Sequence, residues 1–109
     1  MCSSDLIVLV VEKAPVFGGS SAISGGVVWV PANHLMSRAD ISDSREEGFR
    51  YLECVTAGSS SSKRLRAYVE TAPRMLEYLD EHSRIRFQMM DDYPDYFAEQ
   101  PGGKSGGRS

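Results

Sequence analysis

The chain has 109 residues, 15 of them acidic and 12 basic, a formal net charge of −3 and a pI near 5.3. That length suits one compact domain, and an acidic balance with basic residues scattered among acids gives no electrostatic ground for binding nucleic acid or an anionic membrane surface. The apolar run near the start is too short to span a bilayer and lacks a basic leader and a cleavage site, so a cytoplasmic protein is expected, with Cys2 and Cys54 as free thiols outside any metal-ligand spacing.

Ile7, Val8, Leu9, Val10 and Val11 are mostly β-branched and do not alternate with polar residues. This is how a strand reads when both its faces are covered in a parallel sheet, so the expected fold class is α/β. In dinucleotide folds an acid at the end of such a strand accepts hydrogen bonds from ribose hydroxyls, and Glu12 stands at that place. Gly18, Gly19, Ser20 and Ser21, followed by Ser24, Gly25 and Gly26, offer unobstructed backbone N–H groups and small hydroxyls. Together they suit a bed for a pyrophosphate or a flat ring.

Residues 27–30 read as a short extended segment halted by Pro31, and residues 32–41 as loop or one irregular turn. His34 has no second ligand nearby and reads as a surface histidine. Ser44-Arg-Glu-Glu47 has capping-box spacing, after which Phe49, Leu52 and Val55 share a helical face and Ala57-Gly58 supplies a stop. Residues 59–62 cap a second helix in which Leu65, Tyr68, Val69, Ala72, Leu76 and Leu79 keep helical spacing, with a break or kink expected at Pro73. Phe49, Tyr51, Tyr68 and Tyr78 fit a buried stripe better than a ring-stacking box. His82 falls at the helix exit in a solvated position.

Ile85, Phe87 and Met89 alternate with Arg86, Gln88 and Met90 as in a half-buried strand. Residues 91–97 carry acids and tyrosines without a basic partner. Gly102-Gly103-Lys104-Ser105 imitates a phosphate loop but lacks its spacing and its strand-to-helix context.

Three runs, Val11-Glu12-Lys13, Phe17-Gly18-Gly19-Ser20-Ser21-Ala22 and Ser24-Gly25-Gly26-Val27-Val28-Trp29-Val30-Pro31, resemble the flavin-binding part of the fumarate reductase and 3-ketosteroid delta-1-dehydrogenase superfamily. Trp29-x-Pro31 points to the ketosteroid branch. The resemblance continues from about residue 7 to residue 109 and includes residues 67–73 and Pro94-Asp95-Tyr96.

It implies FAD as cofactor, held by Glu12, Lys13, Gly18, Gly19, Ser20, Ser21, Ser24, Gly25 and Gly26. The implied architecture is a partial Rossmann-like FAD-binding domain over residues 7–84, without the first strand and the Gly-x-Gly-x-x-Gly turn that members carry upstream. It runs into the start of an α+β catalytic region over residues 85–109, and residues 1–6 fall outside it as a junction. The implied reaction dehydrogenates a ketosteroid or similar cyclic ketone by proton abstraction and hydride transfer to flavin. Tyr96 would support a base tyrosine, which with the carbonyl-polarising residues would come from beyond Ser109. Flavin dehydrogenases take several hundred residues, so the chain reads as a fragment, inactive and unstable or aggregation-prone when isolated. The competing reading is a non-catalytic truncated product or a helical interaction module without flavin binding. Fumarate reduction would need an arginine and histidine clamp, a pattern that this sequence does not show.

Overall fold

Ser44 starts the first long helix. Its hydroxyl accepts the Glu47 N–H at 3.1 Å and meets the Glu47 carboxylate at 3.3 Å, while its own N–H is taken by Asp43 at 2.8 Å. The capping-box residues are therefore in place, with Asp43 doing what Glu47 would do in a reciprocal box. In this computed structural model, which describes residues 7–109, the elements are α1 (Gly19–Ile23), α2 (His34–Arg38), α3 (Arg45–Thr56) and α4 (Ser62–His82). The proposed junction over residues 1–6, Cys2 included, lies outside the described residues. Cys54 is a free, exposed thiol.

The short connection between α3 and α4 makes them packed neighbours, and they carry the core. Along α4 the buried side chains Leu65, Val69, Ala72 and Leu76, at a spacing of four, three and four, line one face, with Pro73 buried beside them. Phe49 joins Leu65 and Val69 in one cluster, with Leu52 against it. Val30, Ala72 and Leu76 form a second, covered by Phe87. Each such side chain contributes ~1.5–3 kcal/mol on burial. The aromatic stripe divides: Phe49 and Tyr51 are core, whereas Tyr68 and Tyr78 are exposed, Tyr68 donating its hydroxyl proton to the Trp29 carbonyl.

Several sequence expectations are corrected. Residues 7–11 form no strand, and their side chains are 80–100% exposed. A strand exists only through hydrogen bonds to a neighbour, and no described segment lies beside this one to supply them. Residues 85–90 also form no strand, although Phe87 and Met89 are half-buried between exposed neighbours as alternation requires. Met90 alone bonds across, donating to Ser109 and accepting from Gly107. The α/β expectation thus meets helices and extended segments, with no strand among the described residues.

Pro73 does not break α4, which runs unbroken through it. Proline removes one N–H and crowds one turn, but burial of Val69, Ala72 and Leu76 on both sides holds the helix together. Residues 34–38, expected within a loop or one irregular turn, make a short helix that Asn33 starts by accepting the Met36 N–H at 2.9 Å as an N-cap. Residues 19–23 likewise make a short helix within the glycine-serine stretch. His34 is not a surface residue: α2 sets its Nε2 3.3 Å from the Asp80 carboxylate, in a largely buried position. His82, by contrast, is solvated and stacks on Tyr78 in the last turn of α4. No helix among the described residues is long and apolar enough to cross a membrane.

Pro31 meets α3 at Gly48, where an added Cβ would lie 2.5 Å from the Pro31 Cβ and 2.6 Å from its Cγ. Gly48→Val is expected to lower stability by ~1–3 kcal/mol, since a packed contact cannot admit a branched side chain without moving α3 or the Pro31 turn. Urea denaturation beside the exposed-site control Arg50→Ala checks this. Equal midpoints would show that the contact yields at no cost.

Candidate functional site

The tail that imitates a phosphate loop holds the centre of the molecule. Arg108 is 1% exposed and its guanidinium makes four hydrogen bonds. Nε and one terminal nitrogen donate to the two Asp43 oxygens at 2.8 and 2.6 Å, the fork-to-fork geometry that makes arginine–carboxylate pairs strong. The other terminal nitrogen donates to Asp95 and to the Gly102 carbonyl, both at 2.8 Å. Trp29 and Tyr51 flank the same guanidinium, with ring centroids 5.4 and 5.8 Å away. The acid-tyrosine segment thus has a basic partner after all. Thirteen residues and a chain reversal separate Asp95 from Arg108, so no local spacing announces the pair.

Both carboxylates are also satisfied by N–H groups. Asp43 accepts from Ala32 and Ser44, each at 2.8 Å, and Asp95 accepts the Trp29 indole N–H at 2.6 Å and the Lys104 N–H at 2.9 Å. Burial pushes the Asp43 carboxyl upward, but the Arg108 hydrogen bonds and charge, with the Ala32 N–H, prevail and hold it below the ordinary carboxylate value. Burial likewise works against the Arg108 charge, and Asp43 and Asp95 overcome it, raising its pKa. Nearby, the buried Asn33 side chain donates to the Val30 and Gly107 carbonyls at 2.8 and 3.0 Å, joining the chain's end to the Trp29 segment.

The proposed flavin residues fall into two groups. Glu12, Lys13, Gly18, Gly19, Ser20 and Ser21 are exposed on the amino-terminal arm, where Glu12 Oε1 accepts the Ala14 N–H at 2.9 Å and Oε2 bonds to no described residue. Ser24, Gly25 and Gly26 follow, with the Ser24 hydroxyl donating to the Ser21 carbonyl and accepting the Gly26 N–H. Gly25 and Gly26 join Asn33, Phe87, Gly107 and Ser109 around a cavity of about 250 Å³. Gly18 and Gly26 need glycine for their backbones, at φ of 111° and 73°. Gly25 does not, and a Cβ there would meet nothing within 4 Å.

Tyr96 lies apart from the glycines, in a mostly apolar cleft of about 380 Å³ with Trp29, Tyr51, Val55, Tyr93 and Phe97. Its side chain is 86% exposed. The Tyr96 hydroxyl pushes the neighbouring Tyr93 phenol above its ordinary pKa, and burial does the same to Tyr51. The cleft and the glycine cavity are adjacent, since Val27 and Ser109 stand in the walls of both. Sequence reasoning missed Asp43, Asn33 and Arg108, which organise this region. Only Asp95, inside Pro94-Asp95-Tyr96, carried a local signal.

The ion pairs have a pH signature. Because the folded-state pKa of Asp43 lies below its unfolded value, its stabilisation is complete above about pH 4 and is lost as pH falls through the lowered value. Asp43→Asn is expected to cost ~3–5 kcal/mol at pH 7 by leaving Arg108 short of a partner, and to flatten the loss of stability below pH 4. Thermal melts between pH 7 and pH 3 check both. An unchanged acid limb would place the titration elsewhere.

Residues 3–107 match the FAD binding domain family. The chain is 43% identical over 101 residues to a 3-oxosteroid 1-dehydrogenase of Comamonas testosteroni, 38% over 104 residues to one of Mycolicibacterium smegmatis, and 37% over 102 residues to a 4-oxocyclohexanecarboxylate 2-dehydrogenase of Sinomonas cyclohexanicum. These matches cover 93%, 95% and 94% of the chain and in each case 18% of the relative. Among solved structures, the crystal structure of 3-ketosteroid delta1-dehydrogenase from Sterolibacterium denitrificans in complex with 1,4-androstadiene-3,17-dione aligns with a TM-score of 0.82 and 45% identity, over 92% of this chain and 17% of that one. The chain therefore belongs to the FAD binding domain family, in its ketosteroid dehydrogenase-like branch, whose cofactor is FAD.

Proposed function

We propose that this chain supplies part of the FAD site and one wall of the substrate cleft in a dehydrogenase of 3-ketosteroids or similar cyclic ketones. The observation that carries the reading is the shared boundary at Val27 and Ser109, which sets the glycine cavity beside the cleft that holds Tyr96. A dehydrogenase needs this adjacency, because the carbon losing hydride must meet the flavin while its neighbour loses a proton.

The residues present suit the cofactor. Glu12 keeps one carboxylate oxygen open to ribose hydroxyls, and the Gly25 wall carries no side chain and has open space before it. In the assembled Rossmann-like domain residues 7–11 become the strand that ends at Glu12, their exposed aliphatic side chains being covered by the neighbouring layers. When bound, FAD supplies the hydride acceptor. The chain's own part at the reacting end falls to Tyr96. Its phenol donates a hydrogen bond to a neighbouring base and stabilises the anionic form that removes the proton. Loss of that proton and of hydride from the adjacent carbon leaves a carbon–carbon double bond conjugated with the ketone.

The test is a chimera in which residues 7–109 replace the matching segment of the Comamonas testosteroni enzyme. Glu12→Ala is expected to weaken FAD binding there about 10- to 100-fold, the worth of a charge-assisted hydrogen bond of ~1.5–3 kcal/mol. Flavin absorbance after desalting measures it, and full retention would make Glu12 only the end of a strand. Tyr96→Phe should keep its flavin and lose about two to three powers of ten in turnover, the effect of one preorganised donor of ~2.7–4 kcal/mol. Near-normal turnover on a 3-ketosteroid would return Tyr96 to a packing role.

A further inference from the structure

The segment that carries Tyr96 belongs to no helix, and it is held on both sides of Tyr96 by bonds to distant parts of the chain. On one side of Tyr96, Asp95 is fixed four times: its N–H donates to the Lys104 carbonyl at 3.0 Å, and its carboxylate accepts from Arg108, Trp29 and the Lys104 N–H. On the other side the Phe97 N–H donates to the Tyr51 hydroxyl at 3.2 Å. Tyr51 projects from the rigid helix α3, its ring beside Trp29 at 5.6 Å and near the Arg108 guanidinium. The residues before and after Tyr96 are thus clamped, while Tyr96 itself stands largely exposed in the wall of the cleft.

We propose that Arg108 and Tyr51 are positioning residues that hold the Tyr96 phenol at its working place in the cleft, a role that rests on the function proposed above for Tyr96. Arg108 acts through Asp95, and Tyr51 acts through the Phe97 N–H. The arrangement answers a need of exposed catalytic loops, since a misplacement of about 1 Å costs about a hundredfold in rate and a mobile loop cannot hold a phenol that closely by itself. It also accounts for a buried arginine whose guanidinium bonds are all spent on Asp43, Asp95 and Gly102.

The same chimera provides the test, with Tyr51→Phe, which removes one hydroxyl, and Arg108→Lys, which keeps the charge and loses the fork. On a 3-ketosteroid saturated at carbons 1 and 2, Tyr51→Phe is expected to lower kcat about 3- to 10-fold and Arg108→Lys about 10- to 100-fold, each with KM changed less than about twofold and flavin occupancy retained. Both losses should vanish when introduced beside Tyr96→Phe, because there is then no hydroxyl left to position. A second readout needs no turnover: chymotryptic cleavage after Tyr96 should speed up in both variants. If Tyr96→Phe lowers turnover but Tyr51→Phe and Arg108→Lys cost the same factor with and without the Tyr96 hydroxyl, or cost nothing, the positioning role is overturned and the proposed function stands. If Tyr96→Phe itself leaves turnover near normal, both fall. Should Arg108→Lys fail to take up flavin, the Tyr51→Phe cycle alone decides.

Discussion

The structure depends on one guanidinium. Taking an arginine out of water is costly, and Arg108 is tolerated inside only because two carboxylates and a carbonyl meet it in near-ideal geometry. In return it ties together parts of the chain with little else in common. Asp43 precedes α3, Asp95 precedes Tyr96, Gly102 belongs to the returning loop, and Trp29 and Tyr51 stack around the charge. An apolar residue of similar size would fill the space without specifying which loops must meet there.

Around that centre the molecule divides by how each part is held. The α3 and α4 pair is closed by its own buried side chains and by a close approach of Pro31 onto Gly48. The loops that follow α4 are closed by polar bonds, with Asn33 and Arg108 as the anchors. The amino-terminal arm has neither kind of closure, and its aliphatic side chains face outward. This gradient matches the proposed work: a rigid helical pair and charge centre present Tyr96, while the arm carries Glu12 and the glycines toward a cofactor that other elements help to hold.

The chain matches the FAD binding domain family over nearly its whole length yet spans 18% of the oxosteroid dehydrogenases it resembles. The function proposed above asks this segment to contribute to two sites at once. Val27 and Ser109 are where they touch.

The sequence by itself determined what depends on neighbours a few residues apart. The Ser44 and Ser61 caps, the α4 face of Leu65, Val69, Ala72 and Leu76, and the half-burial of Phe87 and Met89 are all local patterns, as is the glycine-serine composition that suits a pyrophosphate or a flat ring. Local rules reached no further than their neighbours at Pro73, where α4 runs on with packing on both sides, and at residues 7–11, where β-branched composition without a paired neighbour makes no strand in this structure. Only the tertiary structure decided the place of Arg108, which in sequence is one basic residue in a glycine-rich tail. Its meaning lies in carboxylates 65 and 13 residues away, and contacts at such separations leave no periodic trace because each is set by where the whole chain turns back.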